Sequence, residues 1–316
     1  MKTYDLIIVG AGPAGLCAAL YGGRSMLKSV VLERGVPGGE LLNTDLIEDY
    51  PGFESVKGFE LADKMAAHAL KFGAELATDA VQAVEKRDDG WFSVTTESGE
   101  VYEAPAVILT AGGTPTKLNV PGEAEYAGKG VSYCAVCDGH FFRGEHLAVV
   151  GGGDAACEEA EFLTRYASQV TIVHRRDRFR ASPIIQKRVF ENPKIAVVWN
   201  TVVDRIEGDG TKTTHLELRD VVSGAVRDYP VGGVFVFIGF RPNTGVVKGH
   251  VRHDAGGYLI TDEVMMSSIP GLFAAGDVRA QLTRQVTTAV GDATTATIAA
   301  AKYIAERKSK QPVGAA

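Results

Sequence analysis

Two cysteines separated by two residues, Cys134 and Cys137, are the side chains best suited to chemistry in this sequence. A two-residue spacer lets two thiols close into a disulfide and tends to lower a thiol pKa, so the pair can store and release two electrons. Half of a zinc site or an accidental spacing would look the same, and the pair alone leaves these alternatives open. The other cysteines, Cys17 and Cys157, form no second close pair, which disfavours zinc.

A first glycine-rich segment follows the short apolar strand 4–9. It contains Gly10, Gly12 and Gly15 in the spacing G-x-G-x-x-G and leads into an Ala/Leu-rich helix. These glycines permit a tight turn, close approach of the backbone to a pyrophosphate, and tight packing of helix on strand. The strand 29–32 then ends at Glu33, which is placed to accept a hydrogen bond from a ribose hydroxyl. The segment predicts a dinucleotide site with a free ribose, such as that of FAD.

A second unit of the same kind begins at strand 146–150. Its loop contains Gly151 and Gly153, and its second strand leads to His174, which lies 23 residues after Gly151, as Glu33 lies 23 residues after Gly10. A basic run therefore replaces the acidic residue. Guanidinium groups in that run can bind a 2′-phosphate in a bidentate manner, which predicts NADP at this site, whereas a solvated charge run is the alternative.

At 316 residues the chain is long enough for about two domains, and a composition of 45% hydrophobic and 23% charged residues is typical of a folded protein. The net charge is −6 and the basic residues are not massed at one end, so we expect neither nucleic acid nor an anionic membrane as a partner. No run approaches the ~18 apolar residues of a membrane span. With only four cysteines and no cleavage site after the N-terminus, we expect a cytoplasmic protein.

The whole set of landmarks resembles the low-molecular-weight thioredoxin reductases over essentially the full length. The matching segments are 10–15, 134–139, 151–156, 174–180, 276–277 and 284–285. The resemblance implies an α/β fold with two Rossmann-like dinucleotide-binding domains, each a three-layer unit with a parallel sheet and a β-meander. The second domain is inserted in the first, so that residues 1–117 and 245–316 bind FAD and residues 118–244 bind NADPH and carry the redox pair.

The resemblance also implies roles for individual residues. Cys137 would face the flavin, Cys134 would attack the disulfide of thioredoxin, and Asp138 would donate and accept a proton. A free aspartate is ionised at neutral pH, so this role requires burial of the carboxyl group. Glu40 stands where the family usually has glutamine, which places a possible negative charge near the flavin. The implied assembly is a homodimer whose inserted domain rotates between two poses.

The predicted cofactor-binding residues form two groups. For FAD they are Gly10, Gly12, Pro13, Ala14, Gly15, Glu33, Arg34, Gly39, Glu40, Leu41, Asn43, Ala111, Gly112, Gly276, Asp277, Arg284, Gln285 and Val286. For NADPH they are Gly151, Gly153, Asp154, Ala155, His174, Arg175, Arg176 and Arg180.

Several other functions remain open at this point. The protein could reduce another thioredoxin-like protein, or it could be a ferredoxin- or flavodoxin-linked NADP reductase, which ordinarily would not need the cysteine pair. A non-enzymatic redox sensor is disfavoured by the intact NADP segment. A peroxide-linked reductase of the larger related type would need an additional N-terminal thioredoxin-like module, which we do not expect here. No metal site is predicted.

Overall fold

The computed structural model describes residues 2–310, with the backbone alone for Lys310. Its chain divides into two compact units: one runs from the N-terminus to Thr114 and resumes at Arg241, and the other comprises Pro115–Phe240. The sequence predicts the crossovers after residues 117 and 244.

The N-terminal part of the first unit alternates strands and helices. Its elements are β1 (Lys2–Thr3), β2 (Leu6–Val9), α1 (Pro13–Arg24), β3 (Ser29–Glu33), a 3-10 helix (Gly39–Asn43), β4 (Leu46–Ile47), β5 (Val56–Lys57), α2 (Gly58–Lys71), β6 (Glu75–Thr78), β7 (Val81–Lys86), β8 (Phe92–Thr96), β9 (Val101–Ala104) and β10 (Ala106–Leu109).

The second unit repeats this order of elements. The strand β11 (Gly113–Pro115) lies at the first crossover. The second unit then contains β12 (Val131–Ser132), α3 (Ala135–Asp138), a 3-10 helix (Gly139–Phe142), β13 (His146–Gly151), α4 (Asp154–Leu163), β14 (Gln169–Val173), α5 (Pro183–Glu191), β15 (Ile195–Val198), β16 (Thr201–Gly208), β17 (Thr213–Asp220), β18 (Val226–Pro230) and β19 (Gly233–Phe237), and β20 (Phe240–Pro242) lies at the second crossover.

The chain then completes the first unit with β21 (Leu272–Ala274), a 3-10 helix (Gly276–Val278) and α6 (Val286–Lys310). The parallel sheet of this unit has the order β21-β10-β2-β3-β6, and a second sheet has the order β1-β9-β8-β7. Strands buried on both faces explain the continuous apolar runs in β2 and β10. One core lies between the parallel sheet and helices α1 and α6, and another lies between the parallel sheet and the meander.

The second unit has the same three layers. Its parallel sheet has the order β12-β19-β13-β14-β15, with helices α4 and α5 in the core on one side and the antiparallel meander β16-β17-β18 on the other. The predicted α/β class with two Rossmann-like units is therefore confirmed. No helix within residues 2–310 is both long and apolar enough to cross a membrane.

The two units share the register of their central strands. Val9 pairs with Leu32 in the first unit, and Val150 pairs with Val173 in the second. Each pair lies directly before two residues that the sequence singled out. These are Gly10 and Glu33 in the first unit, and Gly151 and His174 in the second. Because parallel strands end at a common edge, each glycine loop is adjacent to that strand-end residue.

Candidate functional site

The cysteine pair of the second unit is closed as a disulfide between Cys134 and Cys137, whose Cα atoms are 5.3 Å apart. Strand β12 delivers the chain to Cys134, which is the N-cap of the short helix α3. The Cys134 sulfur accepts a hydrogen bond from the Cys137 backbone N–H at 3.1 Å. A thiolate formed at Cys134 on reduction would therefore have a hydrogen-bond donor in place. Cys134 is half-buried and Cys137 is exposed.

Asp138 directly follows this pair and is half-buried. Its Oδ2 accepts a hydrogen bond from the Ser132 hydroxyl at 2.6 Å. Sequence reasoning did not single out Ser132. The only signal was a polar residue at the end of an apolar strand, six residues before the aspartate. The structure thus brings a disulfide, a carboxylate and a hydroxyl together within one segment.

In the first glycine loop, Gly10 and Gly15 are closely packed, whereas Gly12 faces open space where a ligand could lie. A Cβ on Gly15 would lie 1.8 Å from the Gly10 carbonyl oxygen, so the close approach of α1 to the loop requires glycine. Gly10 has φ +102°, and a Cβ there would meet the Thr110 carbonyl oxygen at 2.7 Å. At Gly12, in contrast, the nearest atom to such a Cβ is 3.9 Å away.

The carboxylate of Glu33 lies against this loop. It accepts hydrogen bonds from the backbone N–H groups of Ala11 at 2.7 Å and Gly35 at 3.1 Å. Thr110, which the sequence did not single out, hydrogen-bonds to the start of the same loop. Its hydroxyl lies 2.8 Å from both the Val9 and the Gly10 carbonyl oxygens. The loop is thus held by side chains from two neighbouring strand ends.

The 3-10 helix Gly39–Asn43 forms a second wall beside the loop, because the Gly38 N–H donates to the Ala11 carbonyl oxygen at 2.8 Å. Leu41 is buried, and Glu40 is exposed. The Glu40 carboxylate accepts a hydrogen bond from the Asn43 side-chain amide at 3.1 Å. Protein atoms around Glu40 desolvate its carboxylate and raise its pKa, while Asn43 and Arg34 oppose this shift. Its contact with solvent weakens the effect.

Gly276 lies against the N-terminal end of α1, and Asp277 follows it in the chain. A Cβ on Gly276 would lie 3.0 Å from the Ala14 Cβ, and its backbone N–H donates to Asp292 at 3.2 Å. Burial raises the pKa of the Asp277 carboxyl group; Arg284 lowers it, and Glu40 and Asp292 raise it further. Within the described residues, the Asp277 side chain accepts no hydrogen bond.

The remaining predicted FAD-binding residues belong to two further segments of the first unit, 111–112 and 284–286. Val286 begins α6 and packs in the same apolar cluster as Leu41. Arg284 is exposed and stacks over Tyr258, with 3.9 Å between the guanidinium carbon and the ring centroid, and Gln285 is exposed. The backbone carbonyls of Ala111 and Gly112 accept hydrogen bonds from Asn243.

These features fit a dinucleotide such as FAD. The open face of Gly12 lies at the start of α1, where backbone N–H groups and the helix dipole favour a pyrophosphate. The Asp277 carboxylate is half-buried and accepts no hydrogen bond from the described residues, so its oxygens can accept one from a ligand or from water. An open anion-binding loop and an available hydrogen-bond acceptor are therefore both present.

The second glycine loop repeats this geometry. A Cβ on Gly151 would lie 2.5 Å from the Phe237 carbonyl oxygen, whereas at Gly153 no atom lies within 4 Å. Helix α4 begins at Asp154, whose carboxylate accepts from the Ser182 N–H at 2.5 Å, and Ala155 is exposed. The open position again lies immediately before a helix.

His174 and the arginines that follow it have different environments. His174 is only 6% exposed and lies under Gly152, where a Cβ would meet the imidazole at 2.3 Å. Burial lowers the pKa of His174 and outweighs hydrogen bonds with the backbone of Arg178 and Gly151, which raise it; the charges of Arg176 and Arg180 lower it further. His174 therefore packs as a neutral ring beneath the loop instead of presenting a cation to solvent.

The guanidinium groups of the run are available for an anion. Arg175, Arg176 and Arg180 are exposed, and none forms an ion pair with a side chain in the described part of the chain. The Arg180 N–H donates to the Gly152 carbonyl oxygen at 2.8 Å, which holds the arginine segment against the glycine loop. This arrangement fits a phosphate bound between the loop and the arginines.

The two other cysteines are buried in separate cores, Cys17 in the first unit and Cys157 in the second. Burial, with Asp154 and Glu158 nearby, raises the pKa of Cys157 to about 12, and burial also raises that of Cys17. Among residues 2–309, no group of three or more His, Cys, Asp or Glu side chains is arranged to hold a metal ion.

Comparison with known proteins gives a consistent result. The profile of the pyridine nucleotide-disulphide oxidoreductases matches residues 4–293. The chain is 48% identical to a thioredoxin reductase of Listeria innocua over 97% of this chain and 96% of that protein, and 46% identical to that of Bacillus subtilis over 96% of each. It also resembles the crystal structure of Lactococcus lactis thioredoxin reductase in the FR conformation, with a TM-score of 0.94, 44% identity, and coverage of 96% of this chain and 99% of that one.

Proposed function

Because the chain belongs to the pyridine nucleotide-disulphide oxidoreductase family, among its thioredoxin reductases, we propose that it reduces the disulfide of thioredoxin with electrons from NADPH. The observation that carries this proposal is the closed Cys134–Cys137 disulfide with Asp138 beside it. This disulfide belongs to the same unit as a glycine loop flanked by unpaired arginines. That unit therefore combines a redox-active pair with the features of an NADPH site.

The cofactors of this family are FAD and NADPH, and the described residues fit both. The loop at Gly12, together with Glu33, Glu40, Asn43 and Asp277, would hold FAD in the first unit. When bound, FAD would supply a two-electron relay between the nicotinamide and the disulfide. In the second unit, the loop at Gly153 would hold the pyrophosphate of NADPH, and Arg175, Arg176 and Arg180 would hold its 2′-phosphate.

The cysteine pair would act by thiol–disulfide exchange. In the dithiol form, the Cys134 thiolate attacks one sulfur of the thioredoxin disulfide, so that a mixed disulfide forms and the other substrate sulfur leaves and takes up a proton. Cys137 then attacks Cys134, which restores the Cys134–Cys137 disulfide and releases the second substrate thiol. Two electrons and two protons thus pass to thioredoxin. Asp138 would carry a proton to the leaving sulfur.

The partner and the assembly are parts of the same proposal. We propose a homodimer in the cytoplasm, as the family resemblance and the single close cysteine pair suggest. Another thioredoxin-like protein is a second possible substrate class, because the exchange chemistry is the same. A ferredoxin- or flavodoxin-linked NADP reductase is not favoured, since that reaction gives the closed disulfide no part.

The test replaces one sulfur of the pair. We expect Cys134→Ser to retain FAD and its bleaching by NADPH, but to lose thioredoxin reduction, because the nucleophile that forms the mixed disulfide is absent. Flavin absorbance and thioredoxin-dependent NADPH oxidation are the two measurements. Cys17→Ala, which removes a buried thiol outside the pair, is the matched control and should retain both. Thioredoxin reduction at the normal rate by Cys134→Ser would overturn the assignment.

A further inference from the structure

The hydroxyl of Ser132 lies among three polar groups at the start of the redox segment. Its Oγ is 2.6 Å from Asp138 Oδ2 and 3.2 Å from the Cys134 carbonyl oxygen, and it accepts from the Cys134 backbone N–H at 3.1 Å. Ser132 is only 4% exposed at the end of β12. Among the side chains described for residues 2–309, it is the one that hydrogen-bonds to Asp138.

A hydroxyl has one donor and two acceptor lone pairs, so Ser132 can use only one of its two acceptor neighbours at a time. When Asp138 is ionised, the hydroxyl donates to its carboxylate, which is the shorter contact. When Asp138 is protonated, its own O–H can donate to the Ser132 oxygen, and the Ser132 hydroxyl can turn toward the Cys134 carbonyl oxygen. Neither state leaves a buried donor without an acceptor.

We propose that Ser132 is a positioning residue for proton transfer in disulfide exchange. It holds the Asp138 carboxyl group beside the cysteine pair and keeps it hydrogen-bonded in both protonation states. The inference rests on the proposed function, in which Asp138 carries a proton to the leaving sulfur. The backbone bond from Cys134 to the same oxygen couples the position of Asp138 to that of the nucleophile.

The exchange step defines where this proton goes. The Cys134 thiol gives its proton to Asp138, its thiolate forms a bond to one substrate sulfur as the substrate S–S bond breaks, and the departing thiolate takes that proton from Asp138. Asp138 regains a proton from the Cys137 thiol when that sulfur attacks Cys134, and passes this proton to the second substrate sulfur as the Cys134–substrate bond breaks. The dithiol loses two electrons and two protons, and the substrate disulfide gains them. Proton delivery matters most when the leaving thiol is a weak acid.

The experiment uses the full-length protein reduced with dithiothreitol and then freed of it, so that neither NADPH nor thioredoxin is needed. Two small disulfides are the probes: 2-hydroxyethyl disulfide, whose leaving thiol becomes protonated at pH 7, and 5,5′-dithiobis(2-nitrobenzoic acid), whose leaving thiolate stays ionised. The rate of closure of the Cys134–Cys137 disulfide is measured with each. Cys17 and Cys157 contribute little background because both are buried.

Three substitutions isolate the hydroxyl. Ser132→Thr and Ser132→Val have nearly the same shape and differ in the hydroxyl, and Ser132→Ala removes it without added volume. Tyr133→Phe is the matched control, because it removes a neighbouring hydroxyl that donates to Glu123 at 2.8 Å and has no hydrogen bond to Asp138. Thermal melts confirm that each variant is folded. If the alanine variant is unfolded, the threonine–valine comparison carries the test.

We expect Ser132→Val and Ser132→Ala to slow exchange with 2-hydroxyethyl disulfide by about tenfold, the effect of losing one hydrogen bond to a charged group. Exchange with the aromatic disulfide should slow by less than about twofold, because its leaving group needs no proton. Ser132→Thr and Tyr133→Phe should behave like the parent protein. Equal slowing with both disulfides, or none with either, would overturn the proposal.

A double-mutant cycle with Asp138→Asn separates this inference from the proposed function. We expect Asp138→Asn to slow exchange with 2-hydroxyethyl disulfide, and Ser132→Val to cause no further loss in that background, because both act on the same proton. If the two losses are additive, Ser132 acts only structurally and the inference fails. If Asp138→Asn has no effect, the role assigned to Asp138 in the proposed function fails, and the inference that rests on it fails with it.

Discussion

Glu33 and His174 occupy equivalent places in two copies of one motif, and their side chains are used differently. Glu33 accepts from two backbone N–H groups beside the first glycine loop, where its carboxylate borders a nucleotide cradle. His174 packs under Gly152 as a neutral ring, and the positive charge of the second loop is carried by the exposed arginines that follow. A carboxylate there would repel a 2′-phosphate, and the buried imidazole does not.

We expect the arginines to determine the choice of nicotinamide nucleotide. Replacement of Arg175, Arg176 and Arg180 together by alanine should raise the KM for NADPH by about 100-fold or more, because charge-assisted hydrogen bonds to the phosphate are lost. The KM for NADH, which lacks that phosphate, should change by less than about threefold. Steady-state kinetics with both nucleotides gives the result.

The matched control for charge is Lys212→Ala in the same unit, which removes a cation that lies 3.6 Å from Glu145. Its KM for both nucleotides should stay unchanged. A triple arginine variant with equal changes for NADPH and NADH would argue against a 2′-phosphate site at these residues.

At the scale of the strand–loop–helix element, each glycine loop combines two closely packed glycines with one that faces open space: Gly12 in the first loop and Gly153 in the second. The sequence predicted both loops and the strands and helices around them to within a few residues, because the fingerprint fixes the turn and the apolar runs fix the strands. It did not predict the 3-10 helix at 39–43. That segment is held by the Gly38–Ala11 hydrogen bond and by packing of Leu41, which are contacts distant in sequence.

The sequence also did not predict how the supporting side chains of the two sites are placed. His174 opens a predominantly basic run in the sequence, and only the fold shows that its side chain is buried. Ser132 and Thr110 are single polar residues at strand ends, which have no distinguishing pattern. Hydrogen-bond partners of such residues depend on register and packing, and neither is encoded locally.

The packing requirement at Gly15 gives a prediction for this element. We expect Gly15→Ala to lower the free energy of unfolding by about 1–3 kcal/mol or more and to weaken FAD binding, because its Cβ would overlap the Gly10 carbonyl oxygen. Thermal melts and flavin absorbance after gel filtration measure the two effects. Gly35→Ala is the control, since no atom lies within 4 Å of a Cβ there. Full retention of FAD by Gly15→Ala would contradict the packing role of this glycine.

The whole molecule consists of two units with one architecture, the second inserted between two parts of the first. The sequence placed the crossovers after residues 117 and 244, and the structure divides at 114 and 240. Gly and Pro residues extend over both crossovers, and such a cluster marks a region of the chain instead of a single boundary residue. Assignment of FAD to the first unit and NADPH to the second remains our proposal.

The most direct test of the central claim is NADPH oxidation by the purified flavin-loaded protein with a thioredoxin as acceptor, run beside NADH at matched concentrations. We expect turnover with NADPH that depends on thioredoxin, and much less turnover with NADH. Flavin reduction by NADPH without any thioredoxin-dependent turnover would contradict the claim that the Cys134–Cys137 disulfide passes electrons to thioredoxin.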